Sequence, residues 1–257
     1  MNTAIVTLCD QGARVARRLA AKLGGCRVFA HDIVKEPGDS ERFGAVVELT
    51  ARIFTQYGRL VYIAPCGVVV RAIAPCIRHK LTDPAVVVVD VGWRYAVSLL
   101  SGHEGGANAL ALEVANALGA EPVISTTTEA VKPLIVGVGC RRGAKAESIA
   151  GAIRQALGKV EASLADVRFL ASAELKSGEA GLLQAARELG LSLRFIPADE
   201  ILSTAKRFRS SSFVAEKVKL PAVAEPSALL AGRRTQLILP KTIINGVTVA
   251  VARENCL

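Results

Sequence analysis

Short apolar runs of strand length recur along this chain, and most are followed by an amphipathic stretch of helical length. The first half has such runs at 3–9, 26–30, 59–64, 85–89, 95–100 and 122–125. After the first, Ala16, Leu19, Ala20 and Leu23 repeat at helical spacing, and Gly24-Gly25 ends the helix. A second helix is predicted over about 41–56. A third carries Leu110, Ala111, Val114, Ala115 and Leu118 on one face and stops at Gly119. Strands alternating with helices bury both faces of a sheet as βαβ units.

Thr126 to Lys132 links into Pro133, and the alternation then resumes. Strands are predicted at 134–138, 167–170, 193–196, 235–239 and 247–252. Helices are predicted at 145–157, 179–189, 199–205, 211–218 and 223–231. The expected fold class is α/β: two small three-layer α/β/α domains with mainly parallel sheets, residues 1–130 and 131–257.

Half of the 257 residues are apolar, enough for real cores. No apolar run reaches the roughly 18 residues that a membrane span needs. The opening MNTAIVTLCDQG has no basic region and reads as a first strand rather than a signal peptide, so a cytoplasmic protein without membrane partners is expected. Cysteines 9, 26, 66, 76, 140 and 256 form no C-x-x-C pair and are expected to be buried or free thiols.

The net charge of +9 is uneven. Residues 1–130 carry 13 Lys/Arg against 12 Asp/Glu, whereas residues 131–257 carry 19 against 11. The cationic second half points to an anionic ligand. It has few aromatics, Phe169, Phe195, Phe208 and Phe213, and no recognised nucleic-acid motif. A small polyanion is expected rather than nucleic acid.

The chemistry-bearing residues concentrate at Ser101-Gly102-His103-Glu104-Gly105-Gly106-Ala107-Asn108, where a strand ends, turns through glycines and opens a helix. An imidazole titrating near neutrality makes His103 the candidate acid/base; its bland alternative is a turn histidine. Glu104 either supports His103, acts as base, or sits where a helix dipole favours an acid. Gly105 and Gly106 offer backbone N–H donors to a developing oxyanion, or merely pack the turn. Asn108 contacts substrate or caps the helix. Arg71, Lys80, Asp83 and Asp90 surround neighbouring strand ends and are expected to face the same crevice, beyond the carboxyl ends of parallel strands.

In the second half, Gly137, Gly139, Arg141 and Arg142 lie in Gly137-Val138-Gly139-Cys140-Arg141-Arg142-Gly143, between a strand and a helix. Arg142 stands where a dinucleotide fingerprint needs its third glycine, so the segment reads as an anion-binding turn for carboxylates. Cys140 is expected to be packed, although a helix N-terminus would lower its pKa. H-E-x-x-H fails at Ala107, G-x-S-x-G is absent, and no metal site or cofactor is expected.

These motifs resemble the CbiG family of cobalamin biosynthesis, the cobalt-precorrin-5A hydrolases. The matching pieces include Pro65 to Pro75, Lys80 to Val86, Leu99 to Asn108, Val136 to Gly143, Ala171-Ser172, Val223 to Glu225 and Val247 to Ala250. The second half alone is similar to the CobE-type domain of the same pathway. Longer family members carry a middle segment that has no room here between Thr128 and Leu134.

The resemblance implies that water opens a δ-lactone on a ring-contracted cobalt tetrapyrrole, with release of acetaldehyde to give cobalt-precorrin-5B. The cobalt enters as part of the substrate. Lys176, Glu179, Ser211, Glu225 and Lys241 are implied as further substrate contacts. The alternative is a non-catalytic carrier of corrinoid intermediates. A homodimer and transient contacts with neighbouring pathway enzymes are compatible with either reading.

Overall fold

The computed structural model describes residues 2–206, 208 and 220–255. The helix expected over 211–218, Ser211, Phe213, Val214 and Cys256 lie outside the described residues. The chain divides into two compact units, Met1–Thr126 and Thr127–Leu257.

The first unit holds seven strands: β1 (Thr3–Thr7), β2 (Cys26–His31), β3 (Glu41–Phe43), β4 (Arg59–Ile63), β5 (Ala85–Val89), β6 (Tyr95–Leu100) and β7 (Glu121–Val123). Their order is β3-β2-β1-β4-β5-β6-β7. The helices are α1 (Asp10–Leu23), α2 (Val46–Ile53), α3 (Cys66–Ile73) and α4 (Ala107–Leu118). Side chains alternate across the strands. Ile5, Val61, Ile63, Val87 and Val89 pack with Val15 and Leu19 of α1 and Leu110 and Val114 of α4. Ala4, Val6, Leu60, Tyr62, Val86 and Val88 pack with Leu49 and Ile53 of α2 and Val69 and Ile73 of α3. Both sheet faces are therefore covered by helices.

One expectation needs correction. Residues 41–43 form an edge strand rather than the first turn of a helix. Phe43 turns into the core beside Leu49 and Ile53, and Glu41 pairs with Arg27 at 2.9 Å and Arg52 at 2.6 Å. The helix begins only at Val46, after Gly44. Within this mainly parallel sheet, β6 runs antiparallel to β5, pairing Val86 with Leu100 and Val89 with Ala96.

The second unit opens with a short helix, α5 (Thr127–Ala130), and is built on β8 (Leu134–Gly139), β9 (Val167–Ala173), β10 (Leu193–Ile196), β11 (Thr235–Ile244) and β12 (Val247–Glu254), ordered β10-β9-β8-β12-β11. β8, β9 and β10 are parallel, whereas β12 is antiparallel to β8 and to β11. On one face α6 (Ala146–Gly158) and α7 (Ala180–Glu188) cover Val136, Val138, Val249 and Val251. On the other, α8 (Ala198–Ser203) and α9 (Ala224–Leu230) meet Ile135, Phe169 and Ala171. Strand pairing over the whole molecule is mostly parallel, and both units are three-layered. No helix among the described residues is long and apolar enough to cross a membrane.

Candidate functional site

The antiparallel turn between β5 and β6 decides which candidates meet. Because β6 returns along β5, its carboxyl end lies beside the amino end of β5. The loop leading into β5, which carries Lys80 and Asp83, therefore neighbours the turn that leaves β6 with His103 and Glu104. Lys80 Nζ reaches Glu104 Oε1 at 2.7 Å. This hydrogen bond, with the charge of Lys80 behind it and that of His103 nearby, holds the Glu104 carboxyl below the usual carboxylate range. His103 and Glu104 are both exposed.

Asp83 shapes the loop that presents Lys80. The residue is buried, and its carboxylate accepts the backbone N–H groups of Arg78 at 2.9 Å and His79 at 3.1 Å. Asn108 does comparable work on the other side. Its Oδ1 accepts from Ser98 Oγ at 2.8 Å, and its Nδ2 donates to Thr126 Oγ1 at 2.9 Å. One buried amide thus ties β6, α4 and the segment after β7 together. The Asn108 and Ala107 N–H groups donate to the carbonyls of Gly102 and Ser101, closing the glycine turn onto the helix.

Gly105 is required by close approach. A Cβ there would stand 2.3 Å from Ser101 Cβ and 2.9 Å from Ser101 O. Gly106 caps α4 at φ 85°, a left-handed conformation that suits glycine. Neither the Gly105 nor the Gly106 N–H donates to another backbone group among the described residues.

The expectation of a single crevice for all first-half candidates is overturned. Asp90 follows the carboxyl end of β5, which the register separates from Ser101 by the length of that strand, roughly 15 Å. Its carboxylate accepts from the N–H groups of Gly92, Arg94 and Tyr95 and from Arg94 Nε. Burial pushes its pKa up, but these hydrogen bonds outweigh it and leave the carboxyl below its ordinary range. Asp90 organises the β5–β6 connection. Arg71 is on α3, which begins beyond the carboxyl end of β4, and its guanidinium turns back to the Gly67 carbonyl at 3.4 Å.

In the second unit the loops after the parallel strands β8 and β9 come together. Lys176 Nζ pairs with Glu179 Oε1 at 3.1 Å, with side-chain exposures of only 12% and 15%. Glu179 Oε2 accepts the Gly143 N–H at 3.2 Å, which pins the arginine loop to the start of α7. Burial raises the Glu179 pKa, yet the Lys176 and Gly143 hydrogen bonds and the charges of Lys176 and Arg142 bring it below the ordinary value. Arg141 and Arg142 project from this loop and are exposed. Cys140 packs against the second unit's core, as expected, and burial pushes its thiol up against the lowering influence of Lys176.

Gly137 and Glu225 also need correction as ligand-facing residues. Gly137 is inside β8, and a Cβ there would meet the Ala224 carbonyl oxygen at 1.9 Å. It is a packing glycine that lets α9 lie against the sheet. Gly139 ends the same strand, paired with Thr248. Glu225 is 1% exposed and accepts the Lys241 backbone N–H at 2.7 Å. That N–H is freed from the ladder by a bulge between Leu239 and Thr242, so Glu225 and Lys241 together seat β11 on α9.

Ser98, Thr126 and Ser101 were not singled out from sequence. Ser98 was detectable as a hydroxyl within the apolar β6, where burial demands a partner. No group of three or more His, Cys, Asp or Glu side chains able to hold a metal occurs among the described residues.

Residues 48–129 match the family model described as cobalamin synthesis G N-terminal, and residues 134–252 match cobalamin synthesis G C-terminus. The chain belongs to the cobalamin synthesis G family. Among curated relatives, the cobalt-precorrin-5A hydrolase of Priestia megaterium is 26% identical over 358 aligned residues, covering 97% of this chain and 94% of that protein. That alignment is longer than this chain, so the relative contains residues with no counterpart here. The cobalt-precorrin-5A hydrolase of Salmonella typhimurium is 41% identical over 126 residues, 49% of this chain and 36% of that protein. Protein CobE of a Sinorhizobium species is 31% identical over 128 residues, 49% of this chain and 83% of that protein. This family member thus spans little more than a third of the Salmonella relative.

Proposed function

We propose that this chain is a cobalt-precorrin-5A hydrolase, opening the δ-lactone of the ring-contracted cobalt tetrapyrrole and releasing acetaldehyde to give cobalt-precorrin-5B. The observation that carries the reading is the presence of both family parts in one chain, aligned almost end to end with a relative bearing that name. The arrangement at the amino end of β5 supports it.

The imidazole of His103 takes a proton from the attacking water and returns it to the leaving oxygen. Glu104 is ionised and available to support the imidazolium. The Gly105 and Gly106 N–H groups receive the oxyanion that forms as water adds to the lactone carbonyl. Lys80, Arg141 and Arg142 are cations suited to the acid side chains of such a substrate. The cobalt belongs to the substrate, and the enzyme works in the cytoplasm with no resident cofactor.

An anaerobic assay of the purified protein with cobalt-precorrin-5A, trapping acetaldehyde, tests the reading. Stoichiometric release establishes the hydrolase, and His103→Ala then abolishes turnover while sparing binding. The alternative, a carrier of corrinoid intermediates, draws on the cationic excess of the second unit, which does not contain His103. Binding without acetaldehyde release, under conditions where a longer relative turns over, establishes the carrier instead.

A further inference from the structure

Ser101 carries two unfavourable features at once. Its φ is 58°, in the left-handed region that disfavours side chains with a Cβ. Its hydroxyl is buried and has no hydrogen-bond partner, in a residue only 8% exposed. A glycine would relieve the first cost and an alanine the second. Strain and an unsatisfied polar group on one residue mark a place where folding alone does not account for the side chain.

Its surroundings give the hydroxyl a use. Ser101 is the last residue before the glycine turn, and its own carbonyl anchors the first N–H of α4 at 3.1 Å. Gly105 lies directly over the hydroxyl: the Cβ that Gly105 lacks would be 3.2 Å from Ser101 Oγ. The cover is therefore bare backbone. Neighbouring Glu104 is tied to Lys80 through an exposed ion pair, a weak tether in water. A substrate carboxylate that takes Lys80 from Glu104 would loosen this cover and open the hydroxyl beneath it to the lactone.

We propose that Ser101 is a further substrate-contacting residue for the hydrolysis assigned above, its hydroxyl donating to the lactone oxygen beside the Gly105 and Gly106 N–H groups. The inference rests on the hydrolase reading. No covalent step is involved: Ser101 supplies a hydrogen bond, and water remains the nucleophile.

Two variants test it, Ser101→Ala and Ser101→Gly, each measured for thermal unfolding and for steady-state conversion of cobalt-precorrin-5A. Both are expected to melt at or above the wild-type temperature, because each removes an unpaired buried hydroxyl. Both are expected to lose at least tenfold in kcat with KM within about twofold. A role through backbone conformation alone would leave Ser101→Gly fully active and would overturn the proposal. A clear drop in melting temperature for Ser101→Ala would also overturn it, since the hydroxyl would then have a partner in the resting protein. Wild-type protein that turns nothing over would overturn the hydrolase reading, and this proposal with it. An active wild type with two unimpaired variants would sink the Ser101 role alone.

Discussion

Lys80 Nζ and Glu104 Oε1 lie 2.7 Å apart although 24 residues separate them in the chain. Their meeting follows from the reversal between β5 and β6, which returns the glycine turn to the loop that feeds β5. The pair sets the ionisation of Glu104, and removing Lys80 should therefore be read in a pH profile. Glu104 is held below the ordinary carboxylate range mainly by the Lys80 hydrogen bond. In Lys80→Ala the Glu104 pKa rises toward the ordinary carboxylate range. If Glu104 works as a carboxylate, the acid limb of the rate profile moves to higher pH. Thermal stability should change little, because the pair is exposed.

Asn108 is predicted to be an anchor whose loss is felt in stability. Asn108→Ala strands the Ser98 and Thr126 hydroxyls, which the amide now satisfies from both ends. Two part-buried hydrogen bonds lost in this way cost about 2–3 kcal/mol. Urea unfolding should show the loss, and binding of a corrinoid should weaken only through the displaced turn.

Gly105→Ala should damage the turn more than its size suggests. The new methyl would stand 2.3 Å from Ser101 Cβ and 2.9 Å from backbone, so the 102–106 segment must move. Turnover is expected to fall at least a hundredfold, because a displacement of about 1 Å at a reacting centre has that cost. Circular dichroism should remain that of a folded α/β protein. Normal turnover would argue against the Gly105 N–H as an oxyanion donor.

The Lys176–Glu179 pair predicts an acid-side linkage in the second unit. The folded pKa of Glu179 is depressed, so its contribution to stability is present above the unfolded value of about 4.3. It is lost as pH falls through the folded value. Glu179→Gln should cost about 1.5 kcal/mol near neutral pH, the scale of a hydrogen bond to a charged group. The difference from wild type should shrink below about pH 4, as followed by denaturant unfolding across pH. A difference that grows on acidification would contradict the assignment.

Local patterning determined most of the strands and helices of this protein, because each apolar period is written in neighbouring residues. The runs at 85–89 and 95–100 are the observed β5 and β6 to the residue. The direction of β6 was also encoded: five residues, Asp90 to Arg94, are too few for the crossover of a dozen or more that a parallel pair requires. Read that way, the sequence alone separates Asp90 from the His103 turn and joins Lys80 to it. Other features had no local signal. Gly137 looked like a ligand turn until α9, which begins at Ala224, was seen packed against it. Glu225 looked like a substrate contact until the bulge at Lys241 gave it a buried N–H to hold. The cost carried by Ser101 was equally invisible, since a φ angle and an unpaired hydroxyl exist only once Gly105 has closed over them. Periodicity acts between neighbours and can be read along the chain, whereas close approach joins distant segments and is decided only when they pack.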